Sequence, residues 1–351
     1  MGGDLSAKLD SLMSGHANNP AVSELKIQVT SLNSAMNYRW RMPGSRQTHL
    51  IASGTKMFAA TVIQQLAEVG KLSLSDSIAK HLPDRDYTNL NVQDGFDCSS
   101  QITIRDLLSH TSGISDYYQL KRLPTKGDLS RLSAEDPGWS FEDAIALARQ
   151  LPAKFPPNSG KASYSFTNYQ LIGRIIESVT SASLSEVFQT RIFGPLELSD
   201  TSLLTPETIE TFYSASPILI GKQNYLGARR IASLGAEGAI VSSTEDITKF
   251  LQEFFFGKLI SQAGRDDLLS QWLPIFPGIR YAAGVMSLGI PRIATRALHR
   301  GRYLGHSGAT GHFMFFDPIG KITIVGTTNQ LKRNTISYRL MASVLRAINS
   351  A

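Results

Sequence analysis

The chain reads as an α/β protein of the α+β kind. It has one antiparallel sheet assembled from both ends of the chain and flanked by helices, with a mostly helical segment inserted between them. Three observations predict this. Residues 24–40, "ELKIQVTSLNSAMNYRW", alternate apolar and polar side chains with a turn near Asn33, the period of a half-buried strand pair. Residues 85–274 replace that period with helical spacing broken by long loops. Strand-like runs then return in "YAAGVMSLGI", "ALHRGRYLGHSG", "HFMFFDP" and "KITIVGTTN". First and last strands that share one sheet bury their apolar faces together. The expected division is 1–84 with 275–351 as a discontinuous sheet domain and 85–274 as the helical insertion, with a site in the cleft between them.

Taken in order, residues 4–14 carry an amphipathic helical pattern. A strongly apolar helix starts at Ser53 and stops at Gly70, a favourable residue just past a helix end. "LSLSDSIAKHLP" is a connector ending in a proline-bounded turn. "TIRDLLSH" opens with a capping-box spacing, Thr103 to Asp106, and closes near Gly113. "NYQLIGRIIESVT" and "LSEVFQTRIF" have helical periodicity, and "SSTEDITKFLQEFFFG" repeats the capping box from Ser243 to Asp246 before Gly257. Asp317-Pro318-Ile319-Gly320 is a turn, and a last helix spans 335–349.

Composition narrows the function. Of 351 residues, 42% are apolar and 18% charged, which supplies ample core. No run approaches eighteen apolar residues, so no membrane partner is expected. The start, "MGGDLSAKLDSLMSGH", has no apolar signal region, and the expected location is cytoplasmic. Cys98 is the single cysteine, which removes an internal disulfide and any thiolate cluster. No HExxH, Walker A or dinucleotide fingerprint occurs and the histidines lack metal spacing, so neither metal nor cofactor is expected. The net charge of +6 is spread along the chain without interleaved aromatics, which argues against nucleic acid. The densest basic patch, Arg292, Arg296, His299, Arg300 and Arg302, reads as a solvated loop or as a lip that attracts carboxylates.

Chemistry concentrates at "IASGTKMFAATVIQQLAEVG". Ser53 stands at a helix N-terminus, where free N–H groups and the dipole favour a developing negative charge. One turn on, Lys56 shares its face, and apolar surroundings should lower the pKa of the amine until it can take the serine's proton. An N-cap serine followed by a solvated lysine would give the same letters. Downstream, Tyr164 lies in "GKASYSFTNYQLIGRIIE" just before a helix, and His306, Ser307 and Gly308 lie in "GHSGATGHFMFFDP" between strands.

This ordered set resembles the serine β-lactamase and penicillin-binding-protein superfamily. It is most similar to the branch holding class C β-lactamases, family VIII esterases, D-aminopeptidases and D-amino-acid amidases. "ITIRDLLSHTSGI", "GKLSLSDSIAKHLP" and "GAIVSSTEDITKFL" resemble that family's framework in its order. The resemblance implies a β-lactamase-like fold, Ser53 as acylated nucleophile, Lys56 as its proton acceptor and Tyr164 as proton relay. A phenol beside the lysine charge is expected to have a depressed pKa. By the same resemblance, the Ser53 and Ala309 N–H groups form an oxyanion hole. Gly308 permits close backbone approach there, and His306 bonds either the tyrosine or a substrate carboxylate. Ser307 and Phe166 complete the substrate-binding set.

Phe166 departs from the pattern. The family reads Tyr-x-Asn where this chain reads Tyr164-Ser165-Phe166, and Phe166 can make no amide contact to Lys56 or substrate. Asn168 reads as part of the loop's own scaffold. The change favours apolar acyl groups and esters over penicillins and peptidoglycan. The expected function is therefore a serine hydrolase of small carboxylic esters. D-amino-acid amidase or D-peptidase, weak β-lactamase, acyl transferase and a catalytically silent binding member are the alternatives. The partner is a small ester or amide. A nucleophile elbow at "GHSGA" fails, because the only later histidine, His312, precedes Asp317.

Overall fold

Eight strands form one antiparallel sheet whose order brings the two ends of the chain together. They are β1 (Lys26–Ser31), β2 (Asn37–Arg41), β3 (Leu273–Phe276), β4 (Ile279–Tyr281), β5 (Met286–Ile290), β6 (Gly301–Ser307), β7 (His312–Asp317) and β8 (Ile322–Thr327). The order across the sheet is β3-β4-β5-β6-β7-β8-β1-β2, so β1 pairs with β8 on one side and β2 on the other. The structure, a computed structural model, describes residues 2–19, 22, 24–120, 137–221, 223–296, 301–331 and 335–350.

Alternation along each strand sends side chains to two different layers. Phe313 and Phe315 of β7 pack with Ile27, Val29 and Ile324 beneath helices α1 (Gly2–Ala17) and α6 (Thr335–Ile348). Met314 and Phe316 point the opposite way into the larger core, which also holds helix α2 (Thr55–Glu68) and helix α5 (Thr244–Phe255). With both faces covered, β7 is buried at every position and reads as a continuous apolar run. Helix α5 falls within residues 85–274, yet it packs on β8, β1 and β7 of the sheet.

Helix α2 is buried nearly all round, and Phe58 stacks on Phe250 of α5 at 3.7 Å between ring centroids. Burying such a ring contributes roughly 1.5–3 kcal/mol. Helix α3 (Ile104–Ser109) has the expected capping box in both halves. It ends at His110, in the left-handed conformation (φ 60°), rather than near Gly113. In α5 only half a box forms, because the Asp246 carboxylate accepts instead from the Asp200 N–H and the Thr201 hydroxyl. The run 281–290 is not one strand, since Gly284 (φ +77°) turns the chain between β4 and β5. Ala297–Arg300, part of another expected strand, lie outside the described residues. A second sheet of three very short strands, Ser202–Leu203, Ile240–Ser242 and His49–Leu50, was not legible as a pattern. It leads the chain directly to Ser53.

Candidate active site

Ser53 sits in the 3-10 turn Ala52–Gly54 that feeds α2. Ala52 before it takes a left-handed conformation (φ 48°), a pose that costs energy for a residue with a Cβ and recurs at functional turns. The Ser53 side chain caps nothing. Its hydroxyl, 7% exposed as a residue, lies 3.3 Å from the Lys56 amine.

Lys56 is fully buried. Its amine donates to the Glu237 carbonyl at 2.6 Å and is ringed by the faces of Phe166 (4.3 Å), Tyr164 (5.1 Å) and Tyr169 (5.2 Å). Burial lowers its pKa to about 7, against the opposing pull of the Glu237 and Asp116 carboxyl groups. A free amine is therefore available at neutral pH beside a serine hydroxyl.

Tyr164 comes from the loop before helix α4 (Phe166–Thr180). Its pKa is raised well above the ordinary value, not depressed. Burial dominates, and the nearby Ser53 only partly offsets it. Tyr164 is thus a phenol able to donate, with its buried hydroxyl free of any hydrogen bond of normal geometry.

Of the "GHSGA" residues, the structure brings Gly308 and Ala309 to Ser53 and separates the rest. A Cβ on Gly308 would meet the Ile51 carbonyl at 2.5 Å, so only glycine lets β6 run this close to the Ser53 turn. The Ala309 N–H makes no hydrogen bond within the described residues. His306 is fully buried, and its Nε2 meets the hydroxyl of Tyr281, not Tyr164, at 3.1 Å. Its Nδ1 lies 2.8 Å from the Ser307 carbonyl, which accepts its proton. Burial holds its pKa near about 3, so the uncharged ring cannot pair electrostatically with a substrate carboxylate. Ser307 faces the other layer, where its hydroxyl meets Tyr338 at 2.6 Å, because neighbours on a strand point to opposite faces. Phe166 does line the site, stacked on Tyr118 at 4.9 Å. Arg296 and Arg302 of the basic patch do not line it, and His299 and Arg300 lie outside the described residues.

Beside Ser53 and Ala309 lies a cavity of about 60 Å³. Its walls are almost entirely apolar and include Leu50, Ile218, Ile231 and Leu234. Sequence reasoning missed the residues that brace the site. Glu237 is buried, accepts from the Tyr117 hydroxyl at 3.0 Å and has its pKa raised well above normal by burial. Asp116 accepts from the N–H groups of Tyr118 and Phe166. The signal for Glu237 was an acid inside the apolar stretch "GAEGAIV". Among the described residues no group of three or more His, Cys, Asp or Glu side chains could hold a metal ion, and no helix is long and apolar enough to cross a membrane.

A family model described as Beta-lactamase matches residues 34–345. The chain is 25% identical over 317 residues to a putative D-alanyl-D-alanine carboxypeptidase of Escherichia coli (strain K12), covering 80% of this chain and 68% of that one. It resembles D-amino acid amidase from Ochrobactrum anthropi SV3, solved with D-phenylalanine, at a TM-score of 0.79 and 22% identity over 99% of this chain and 100% of that one. It also resembles EstCE1, described as a hydrolase with promiscuous acyltransferase activity. There the TM-score is 0.74, with 18% identity over 98% of each chain. At these identities the two structures show a shared fold.

Proposed function

The chain belongs to the beta-lactamase family, and from that premise we propose that this serine hydrolase cleaves small carboxylic esters through an acyl-enzyme on Ser53. The observation that carries the reading is the small apolar cavity beside Ser53, walled by carbon and closed on one side by Phe166. A cavity of about 60 Å³ takes an acyl chain of roughly two to four carbons and offers an amide side chain nothing to bond.

The uncharged Lys56 amine takes the Ser53 proton as Oγ bonds to the ester carbonyl carbon. The oxyanion is met by the N–H groups of Ser53 and Ala309, each worth on the order of 3 kcal/mol in the transition state. Tyr164 gives its proton to the departing alkoxide and recovers one from the Lys56 ammonium. Water then attacks the acyl-enzyme by the same route reversed, which frees the carboxylic acid and restores Ser53.

A panel of p-nitrophenyl esters, D-amino-acid amides and β-lactams tests the proposal. Acetate to butyrate esters should turn over fastest, with rates at least about tenfold lower by octanoate, and an active-site phosphonate should tag Ser53 by mass spectrometry. Faster cleavage of D-amino-acid amides than of any ester would overturn the substrate reading, and a tag at Ser307 would overturn the mechanism.

A further inference from the structure

The Tyr164 hydroxyl makes no hydrogen bond of normal geometry, so its position is set by its ring and its loop. Phe166, Phe276 and Tyr281 pack on the ring, and His110 holds both ring and loop. His110 closes α3 in the left-handed conformation, which turns both its carbonyl and its ring toward the Tyr164 loop. The carbonyl accepts the N–H of Ser163 at 2.9 Å. The ring Nδ1 accepts the N–H of Ser165 at 3.2 Å. The ring itself lies over that of Tyr164, with centroids 4.2 Å apart at 35°. The residues before and after the tyrosine, and the tyrosine ring, are thus all tied to His110.

The tautomer follows from the donors. A backbone N–H can only donate, so Nδ1 carries a lone pair and Nε2 the proton. The Asn168 amide nitrogen also faces Nδ1, at 3.1 Å, while the Asn168 oxygen accepts from the Ser112 hydroxyl at 2.7 Å. Burial, with Lys56 and His306 nearby, keeps the imidazole uncharged. An imidazolium would turn a third N–H against two donors. His110 does not approach Ser53 through any hydrogen bond, and nothing in the proposed reaction passes through it.

We propose that His110 is a positioning residue, which places the Tyr164 hydroxyl against Ser53 and acts on turnover only through that phenol. The proposal rests on the reading of Tyr164 as the proton donor in ester cleavage.

A double-mutant cycle with a short-chain p-nitrophenyl ester tests it. His110→Ala should lower kcat by about 10- to 100-fold with KM changed less than about threefold, as displacement of a reacting group by an ångström does. In a Tyr164→Phe background the same substitution should cost less than about threefold. His110→Asn, which tolerates the left-handed pose and offers Oδ1 near the place of Nδ1, should recover roughly tenfold of the loss. Equal losses in both backgrounds, or no loss at all, would overturn the proposal. If His110→Ala does not fold, His110→Phe, which keeps the ring and lacks the acceptor, takes its place in the cycle. A crystal structure of whichever variant folds should show the Tyr164 hydroxyl displaced by about 1 Å or more. An unmoved tyrosine would sink the idea even in a protein that cleaves no ester, so this failure is separable from failure of the substrate reading.

Discussion

Among the described residues two buried lysines lie against serine hydroxyls, Lys26 against Ser216 and Lys56 against Ser53, and their surroundings differ. Lys26 lies 2.7 Å from the Ser216 hydroxyl and 2.9 Å from the Glu24 carboxylate, and it also donates to the Thr48 carbonyl. Ser216 in turn donates to Glu24, so its proton points at a carboxylate. Lys56 lies 3.3 Å from Ser53, but its near partners are a carbonyl and three aromatic faces. In the first pair, the charge and hydrogen bond of Glu24 oppose the effect of burial on the amine. Burial lowers both amines, but only at Lys56, with no carboxylate in direct contact among the described residues, does the shift go as far as about 7. A serine and a lysine in contact are not a nucleophile. Lys56 has no ion pair among the described residues, and Ser53 lines an apolar cavity whereas Ser216 is held by Glu24, which is the contrast the proposed reaction needs.

Substitutions that exchange the fates of the two pairs test this contrast. The largest effect should come from the serines. Ser53→Ala should cut ester turnover by on the order of 10⁴-fold or more, whereas Ser216→Ala should leave kcat/KM within about threefold and cost stability by about 1–3 kcal/mol. Comparable activity losses would erase the distinction. Methionine at each lysine should then move stability in opposite directions. Lys26→Met strands Glu24 and should cost about 3–5 kcal/mol in urea unfolding. Lys56→Met removes an amine that burial penalises and should gain on the order of 2 kcal/mol at pH 7.5, after allowing for the lost bond to the Glu237 carbonyl.

The pH dependence sharpens the same point. Ester kcat/KM should rise as pH climbs through about 7, where Lys56 gives up its proton. The folded pKa lies below the unfolded one, so the unfolded chain binds more protons between about 7 and 10.5, and stability should rise with pH across that window. Urea midpoints at pH 7 and 9.5 should differ in the wild type and converge in Lys56→Met. A smaller change than that at Ser53 is expected from Phe166→Asn. It should raise nitrocefin or amide turnover relative to ester turnover by about tenfold at most, and an unchanged ratio would remove Phe166 as a selectivity element.

Much of this was readable in advance where burial writes a period. The strand pair at 24–40, the apolar α2 and the late strands each carry a pattern set by which face meets the core. Ser53 and Lys56 were readable for the same reason, as polar residues where an apolar helix begins. Strands of two or three residues, such as His49–Leu50, are too short to show any period. His306 and Ser307 were both assigned to substrate, although alternation alone forbids adjacent strand residues from sharing a face. The direction of the Tyr164 shift depended on the depth of its burial, which spacing along the chain does not encode. His110 stood in a quoted motif, but its role needed the loop around Tyr164 folded back onto it.

The placement of β1 between β8 and β2 also has a meaning for the newborn chain. On a ribosome Ser53 emerges well before β6, which leads to Gly308 and Ala309, and before β8, which pairs with β1. Long-range pairings of this kind close late. A chain made only as far as α2 therefore holds Ser53 without the strands that later surround it.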